Sequence, residues 1–242
     1  MNSADVLQAF VEAIQQGLST RLEAPVPLVM IAGPNGSGKS TLWHTVLAQY
    51  LGAEAEMWEF INADEIVQEH LGLGVRLDSL DEQVLKQRQQ QAQELTTQIR
   101  SENIEAGQGF VFETVFSDEK GHKLSELRRA KEKGFLTVLV AVAVEDIEVL
   151  LARVSLRQKS GAHGVEEEKQ RSRYPRVLSN FEKAIPIVNV AVLIDNSGQG
   201  AIGSGQYRFV ACVKDGEVVA CVDNMPRWAQ GLISKPNSKI IH

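Results

Sequence analysis

Short apolar runs alternate along the chain with longer segments of helical periodicity. Four of the runs have the length of buried strands: 27–32, 110–112, 135–144 and 190–194. Between the runs, apolar residues recur at the three- and four-residue spacing of amphipathic helices. This alternation predicts an α/β fold with a doubly wound parallel sheet flanked by helices.

The two ends of the chain have patterns of their own. Residues 3–22 show apolar positions at helical spacing, so we predict a packing helix with Ser3 as its N-cap. Near the other end, strands at 207–213 and 217–222 flank Asp215-Gly216, a favoured two-residue hairpin turn. The predicted C-terminal β-hairpin is either an appendage or an added antiparallel edge of the sheet.

The hairpin pattern also predicts the state of the two cysteines. With a two-residue turn, Cys212 faces Val219 and Cys221 faces Val210. The cysteines then share a face but lie diagonally, roughly 7–8 Å apart. Because that separation exceeds the usual Cα distance in a disulfide, we expect two free thiols.

Composition narrows the class of protein. The 242 residues suit one α/β domain with a small extension, and a formal net charge of −6 disfavours a general nucleic-acid binder, which is usually basic. No apolar run approaches the roughly 18 residues of a membrane span. The N-terminus lacks the basic start and apolar stretch of a secretory signal. We therefore expect a cytoplasmic protein with no membrane or nucleic-acid partner.

The most specific motif follows the first strand and precedes a segment of helical pattern. It contains the sequence G-x-x-x-x-G-K-[ST] and is called the phosphate loop below: Gly33, Pro34, Asn35, Gly36, Ser37, Gly38, Lys39, Ser40 and Thr41. Its backbone N–H groups are expected to converge on a phosphate at a helix N-terminus. Lys39 would bridge the β- and γ-phosphates of a nucleoside triphosphate, and the Ser40 hydroxyl would bind Mg²⁺. The alternative is a glycine-rich turn that binds nothing.

Polar side chains follow two of the apolar runs. Asp64 comes just after Phe60-Ile61, and Glu113 and Thr114 follow residues 110–112. In a parallel α/β sheet, chemistry collects beyond the carboxyl ends of the strands. Asp64 is therefore either a catalytic carboxylate or the N-cap of the next helix. Likewise, Glu113 and Thr114 either bind a polar substrate or cap the turn after their strand.

A basic segment at about residues 153–176 is a further candidate for the site. It is predicted as two helices joined by a turn around His163, and its arginines are Arg153, Arg157, Arg171, Arg173 and Arg176. Such a pair of helices suits a lid whose guanidinium groups neutralise a transferring phosphoryl group. The alternative is a solvated stretch whose positive charge balances the glutamates at 166–168.

Taken together and in this order, the motifs resemble those of the zeta-toxin family of P-loop kinases. The resemblance covers about residues 27–200, and the stretches that carry it are 31–41, 61–65, 112–117, 157–163, 171–174 and 195–198. Many ATPases and kinases share the phosphate loop, whereas the ordered set is much more specific. The resemblance implies ATP-dependent phosphorylation of a small hydroxyl substrate. The well-known family substrate is UDP-N-acetylglucosamine, phosphorylated on its sugar.

The resemblance also implies a role for each candidate residue. Asp64 is the general base on the acceptor hydroxyl, and Glu113 and Thr114 hold the acceptor. Lys39 and Ser40 hold the phosphates and Mg²⁺. The γ-phosphate is contacted by arginines of the lid, and the choice among them stays open: Arg157, Arg171 and Arg173.

Three functions remain open from the sequence. The first is a kinase acting on a nucleotide sugar, and the second is a kinase of the same architecture with another hydroxyl acceptor, selected by loops such as 71–80. The third is a nucleotide-dependent switch or binding protein that is not a kinase. A toxic kinase of this family would have a separate antitoxin as partner. The expected division is an N-terminal helix (1–23), a P-loop kinase domain (24–200), and a C-terminal hairpin and tail (201–242).

Overall fold

The computed structural model of the protein describes residues 1–19, 26–51, 58–71, 81–159, 165–198 and 207–233. Several predicted features lie outside these residues. They are most of the acceptor-selecting loop (72–80), the lid turn around His163, the join from the last parallel strand to the hairpin (199–206), and the C-terminal tail from residue 234.

Within the described residues, the strands form one sheet: β1 (Pro27–Ala32), β2 (Glu59–Ile61), β3 (Phe110–Thr114), β4 (Leu136–Ala143), β5 (Val190–Asp195), β6 (Arg208–Lys214) and β7 (Glu217–Cys221). Their order across the sheet is β2-β3-β1-β4-β5-β6-β7. The first five strands are parallel, and β6 and β7 are antiparallel to their neighbours. The predicted buried strands are confirmed, and the short run at Phe60-Ile61 forms β2.

The described helices are α1 (Ser3–Ser19), α2 (Lys39–Leu42), α3 (Ala48–Leu51), α4 (Ala63–Leu71), α5 (Glu82–Ala106), α6 (His122–Glu132), α7 (Ile147–Lys159), α8 (Glu167–Ala184) and α9 (Arg227–Gln230). A π-helical segment, Trp43–Leu47, joins α2 to α3. The predicted α/β class, with a mostly parallel sheet flanked by helices, is therefore confirmed. None of the described helices is both long and apolar enough to cross a membrane.

The centre of the sheet decides where the site lies. Every residue of β1, β4 and β5 is buried, as expected for parallel strands covered on both faces. Since β1 to β5 run in one direction, the segments that follow them all emerge at the same edge. That edge, called the carboxyl edge below, receives the phosphate loop after β1 and the polar residues after β2, β3 and β5.

Helix α1 packs against β6 and β7 through a buried face that includes Val6, Phe10 and Ile14. The predicted N-cap is wrong. The side-chain oxygen of Asn2 accepts hydrogen bonds from the N–H groups of Ala4 (2.8 Å) and Asp5 (3.0 Å), which makes Asn2 the capping group. The Ser3 hydroxyl instead accepts from the Phe209 N–H at 2.8 Å and ties α1 to β6.

The C-terminal hairpin is the antiparallel edge of the sheet, the second of the two predicted arrangements. Its Asp215-Gly216 turn is confirmed, because Lys214 pairs with Glu217. The predicted register beyond the turn is wrong: a bulge shifts the pairing, so that Cys212 faces Ala220 and Cys221 faces Ala211. Cys212 and Cys221 therefore point to opposite faces rather than sharing one.

Both cysteines are free thiols, as expected. Cys212 is buried in the sheet, and this burial raises the pKa of its thiol to about 12. Cys212 consequently stays protonated at physiological pH and behaves as a small core residue.

Candidate active site

The phosphate loop has the backbone of an anion-binding nest. Gly36 (φ 80°) and Gly38 (φ 92°) are left-handed, a conformation that glycine adopts without a steric cost. A Cβ atom on Gly33 would lie 2.1 Å from the Val142 carbonyl oxygen, so no side chain fits there. Among the described residues, the N–H groups of Gly36, Gly38, Lys39 and Ser40 have no backbone or side-chain acceptor. Free N–H groups in such a loop favour a bound anion.

Lys39 and Ser40 both contact one carboxylate, that of Glu113. The Ser40 hydroxyl donates to Glu113 Oε2 at 2.6 Å. Lys39 Nζ lies 3.6 Å from Glu113 Oε1 and donates to the Pro34 carbonyl at 3.2 Å. The Lys39 side chain is only 5% exposed. The Lys39 ammonium group therefore lies beside the phosphate loop, where a bound phosphate would attract it.

Strand pairing brings Glu113 to this position, since β3 lies beside β1 with Ile31 opposite Glu113. The capping alternative that was predicted for this segment holds for Thr114 but not for Glu113. Thr114 caps the following turn, because its hydroxyl accepts from the Phe116 N–H at 3.2 Å. Glu113 instead faces the phosphate loop, where its carboxylate can act on a ligand.

Asp64 lies at the start of α4, immediately after β2, and its side chain is exposed. It is not the N-cap, so the structural alternative for Asp64 is wrong. Asn62 caps α4: its side chain accepts from the Asp64 N–H at 2.9 Å, and its carbonyl accepts from the Ile66 N–H at 3.1 Å. Within the described part of the chain, the Asp64 carboxylate has no hydrogen-bond partner.

Asn62 also connects the Asp64 turn to the phosphate loop. Its amide nitrogen lies 3.5 Å from Glu113 Oε2, the oxygen that Ser40 contacts. Sequence reasoning named no role for Asn62. The signal was an asparagine between a strand and a helix, which is typical of an N-cap.

Most arginines of the basic segment have protein partners. Arg171 forms ion pairs with Glu148 (2.6 Å) and Glu167 (2.7 Å), which raise the pKa of its guanidinium. Arg176 pairs with Glu119, whereas Arg157 is exposed to solvent. The predicted alternative, a basic stretch balanced by neighbouring glutamates, therefore describes Arg171.

Arg173 differs from these residues. It is half-buried, and within the described residues no carboxylate contacts it. Burial, and second the guanidinium of Arg176, lower the pKa of Arg173. A guanidinium remains protonated at neutral pH. Arg173 is therefore a partly desolvated positive charge without a counter-ion among the described residues.

Helix α8 carries Arg173 across the carboxyl edge. The Tyr174 hydroxyl donates to the Val144 carbonyl, just after β4, at 2.5 Å. Further along α8, the Asn180 amide donates to the carbonyls of Phe116 (2.9 Å) and Asp118 (3.0 Å), after β3. Since β1 lies between β3 and β4, these bonds place α8 over the edge from which the phosphate loop emerges.

The oxygen ligands at Ser40 and Glu113 fit magnesium. A hydroxyl and a carboxylate in contact are the kind of ligands that Mg²⁺ prefers, and Mg²⁺ takes most of its remaining ligands from water and substrate phosphates. In the described ranges, no cluster of three or more His, Cys, Asp or Glu side chains forms an all-protein metal cage. The chemistry of the site thus suits a metal ion that binds together with a nucleotide.

A mostly parallel sheet with the phosphate loop after β1 and a carboxylate beside it on β3 defines an α/β P-loop protein. The zeta toxin family profile matches residues 11–201. The match covers more than half of the chain, so the protein belongs to the zeta toxin family. No curated protein sequence matches the chain significantly.

Solved structures share the fold at low sequence identity. A chain from the PezAT chromosomal toxin–antitoxin system of Streptococcus pneumoniae superposes with a TM-score of 0.54 and 12% identity, over 81% of this chain and 79% of that one. A chain from the crystal structure of AvrRxo1-ORF1:-ORF2 with ATP superposes with a TM-score of 0.50 and 18% identity. That match covers 89% of this chain but only 64% of the other, so this chain spans less than two thirds of that neighbour.

Proposed function

We propose that the protein is an ATP-dependent kinase that transfers the γ-phosphoryl group to a sugar hydroxyl of UDP-N-acetylglucosamine. The observation that supports the reaction class is the arrangement at the carboxyl edge. Lys39 and Ser40 contact Glu113, and Asn62 connects Glu113 to the turn that presents Asp64. One edge thus combines a phosphate-binding loop, ligands for Mg²⁺ and an exposed carboxylate.

The nucleotide half of the reaction uses the phosphate loop. Its free N–H groups and Lys39 would bind the β- and γ-phosphates of ATP, while Ser40 and Glu113 would hold Mg²⁺. A Mg²⁺ ion held by these two side chains would supply neutralisation of the phosphate charge. Binding of ATP would also offer Lys39 phosphate oxygens in place of its present partners, the Pro34 carbonyl and the Glu113 carboxylate.

The acceptor half uses Asp64. Its carboxylate would accept the proton of the acceptor hydroxyl as the oxygen attacks the γ-phosphorus. The bond between the γ-phosphorus and the bridging oxygen breaks, and ADP leaves with that oxygen. Phosphoryl transfer of this kind depends on positioning and charge neutralisation more than on covalent help from the protein.

Support for the particular acceptor comes from the family. UDP-N-acetylglucosamine is the substrate implied by the resemblance, and family membership is shown over residues 11–201. We also propose an antitoxin protein as partner, because a structural neighbour belongs to a toxin–antitoxin system. The cytoplasm remains the proposed location, as expected from the hydropathy of the chain.

The test is ATP consumption by the purified protein with and without UDP-N-acetylglucosamine, followed by mass spectrometry of the sugar nucleotide. A gain of one phosphate with the wild type, lost in Lys39→Ala, is the expected result. ATP turnover that no sugar nucleotide or other hydroxyl compound stimulates would contradict the kinase proposal and favour a switch. Phosphorylation of a different acceptor would overturn only the choice of substrate.

The role of Glu113 can be tested by Glu113→Gln, which keeps the size of the side chain and removes its charge. We expect a loss of about 10²-fold in kcat, the size typical of removing one preorganised electrostatic group. The Mg²⁺ concentration needed for half-maximal rate should rise, because a carboxylate binds Mg²⁺ better than an amide does. Initial rates measured over a series of Mg²⁺ concentrations give both values.

Initial rates measured over a series of acceptor concentrations then decide between Mg²⁺ and the acceptor as the ligand of Glu113. A raised KM for the acceptor with an unchanged Mg²⁺ requirement would show that Glu113 holds the acceptor, as the resemblance implies. Glu126→Gln provides a control, since Glu126 is a carboxylate of similar burial that pairs with Arg100 instead. Its loss should affect stability rather than the Mg²⁺ dependence.

A further inference from the structure

Two side chains from beyond β5 hold consecutive carbonyl groups of the phosphate loop. The amide nitrogen of Asn196 donates to the Ser37 carbonyl at 2.8 Å, and the Tyr207 hydroxyl donates to the Gly38 carbonyl at 2.7 Å. Asn196 follows β5 and lies within the residues that match the family profile. Tyr207 directly precedes β6 and lies outside them. Asn196 lies in one of the stretches that carry the family resemblance (195–198), whereas no role was predicted for Tyr207.

These bonds control the direction of two N–H groups. In a planar trans peptide, the C=O of one residue and the N–H of the next point in opposite directions. Holding the Ser37 carbonyl outward therefore directs the Gly38 N–H inward, and holding the Gly38 carbonyl outward does the same for the Lys39 N–H. Both N–H groups belong to the anion-binding nest and have no acceptor among the described residues.

The fit at Gly38 is close enough to be specific. A Cβ atom at this position would lie 2.6 Å from the Asn196 amide nitrogen and 2.9 Å from the Tyr207 hydroxyl. Glycine thus serves two purposes here: it allows the left-handed backbone, and it leaves room for both donors. The Gly38 carbonyl also accepts the Leu42 N–H at 2.9 Å, so its two lone pairs are both used.

The two donors are themselves anchored. The Asn196 N–H donates to the Ala143 carbonyl at 2.9 Å, and Arg153 donates to the Asn196 carbonyl at 3.0 Å. The neighbouring Asp195 carboxylate is buried and accepts from the indole N–H of Trp228, in α9, at 2.9 Å. Tyr207 is continuous with β6, whose central residues lie in the core.

We propose that Asn196 and Tyr207 are positioning residues for nucleotide binding. Through Tyr207, the C-terminal hairpin then contributes to the phosphate site. They act by holding the Gly38 and Lys39 N–H groups in the direction that a β-phosphate requires. This inference rests on the proposed use of ATP but not on the identity of the acceptor.

The test compares Tyr207→Phe with Tyr50→Phe, a control at an exposed tyrosine of α3. Isothermal titration calorimetry with Mg·ADP, and competition by inorganic tripolyphosphate, give the affinities. Loss of one hydrogen bond should weaken ADP about three- to tenfold in Tyr207→Phe. Tripolyphosphate should weaken by the same factor, because the effect lies at the phosphates. The KM for the acceptor should not change, and Tyr50→Phe should bind like the wild type.

A second variant, Asn196→Asp, replaces the donor to the Ser37 carbonyl by an acceptor and should weaken both ligands at least as much. If Tyr207→Phe and Asn196→Asp fold and bind ADP as the wild type does, the inference is wrong. A loss confined to ADP, with tripolyphosphate unaffected, also overturns it, because Tyr207 would then act on the nucleoside. Wild-type protein that binds ADP but transfers no phosphate leaves the inference standing and refutes the proposed function. A wild type that binds neither ligand refutes both.

Discussion

Asp64→Asn is expected to lower kcat by about 10²- to 10⁴-fold, the contribution typical of a general base. The amide cannot accept the proton of the acceptor hydroxyl, although it has almost the same shape. Binding of Mg·ADP should stay within about twofold of the wild type, because among the described residues no hydrogen bond or ion pair joins the Asp64 side chain to the phosphate loop. Steady-state rates and calorimetry measure the two effects separately.

Asp64→Asn should affect activity without affecting the fold, because the Asp64 side chain makes no structural contact in the described chain. Asn62 is the N-cap of α4, so Asp64→Asn should not change the thermal unfolding midpoint appreciably. Glu65→Gln, at the next position of the same helical turn, is the matched control and should keep most of the activity. An Asp64→Asn variant with near wild-type kcat would remove Asp64 from the mechanism.

Arg173→Met is expected to reduce kcat by about 10³-fold or more, as removal of an arginine that stabilises a transferring phosphoryl group does in related chemistry. Arg173 is a half-buried guanidinium without an acidic partner in the described residues, on a helix that crosses the carboxyl edge. Arg171→Met should cost far less, because Arg171 is occupied by Glu148 and Glu167. Single-turnover rates with saturating ATP compare the two variants directly.

The unfolding temperature provides an independent readout for Arg173→Met. Burying a charge without a partner is unfavourable, so Arg173→Met should unfold at the same temperature as the wild type or higher in the absence of nucleotide. ATP should then raise the unfolding temperature less in Arg173→Met than in the wild type. Equal kcat losses for both arginines, or a larger loss for Arg171→Met, would show that the choice of Arg173 is wrong.

Much of the fold was predictable because its signals are local. The runs that became β1, β3, β4 and β5 are continuous and apolar, as strands buried on both faces must be. The phosphate loop needs glycines at fixed positions, and Asp215-Gly216 has the chemistry of a tight turn. Each of these features depends on neighbouring residues, so the sequence alone determined the α/β class and the place of the phosphate loop.

The sequence-based predictions were wrong or incomplete where the local structure depends on a partner far away in the chain. Ser3 is a good N-cap by type, but Asn2 caps α1 while Ser3 contacts Phe209. The hairpin turn was right, yet a bulge moved Cys212 and Cys221 to opposite faces. A local pattern contains no information about such a bulge, because pairing across the sheet decides it.

The candidate site shows the same division. The sequence alone determined which residue types were present: a phosphate loop, carboxylates after β2 and β3, and a set of arginines in two helices. Only the tertiary structure decided that Glu113 contacts Ser40 and that Tyr207 reaches Gly38. It also decided that Arg171 is paired with acidic residues, whereas Arg173 has no acidic partner in the part of the chain that the structure describes. The physical reason is that these contacts join residues as far as 169 positions apart, and strand order and helix packing bring them together.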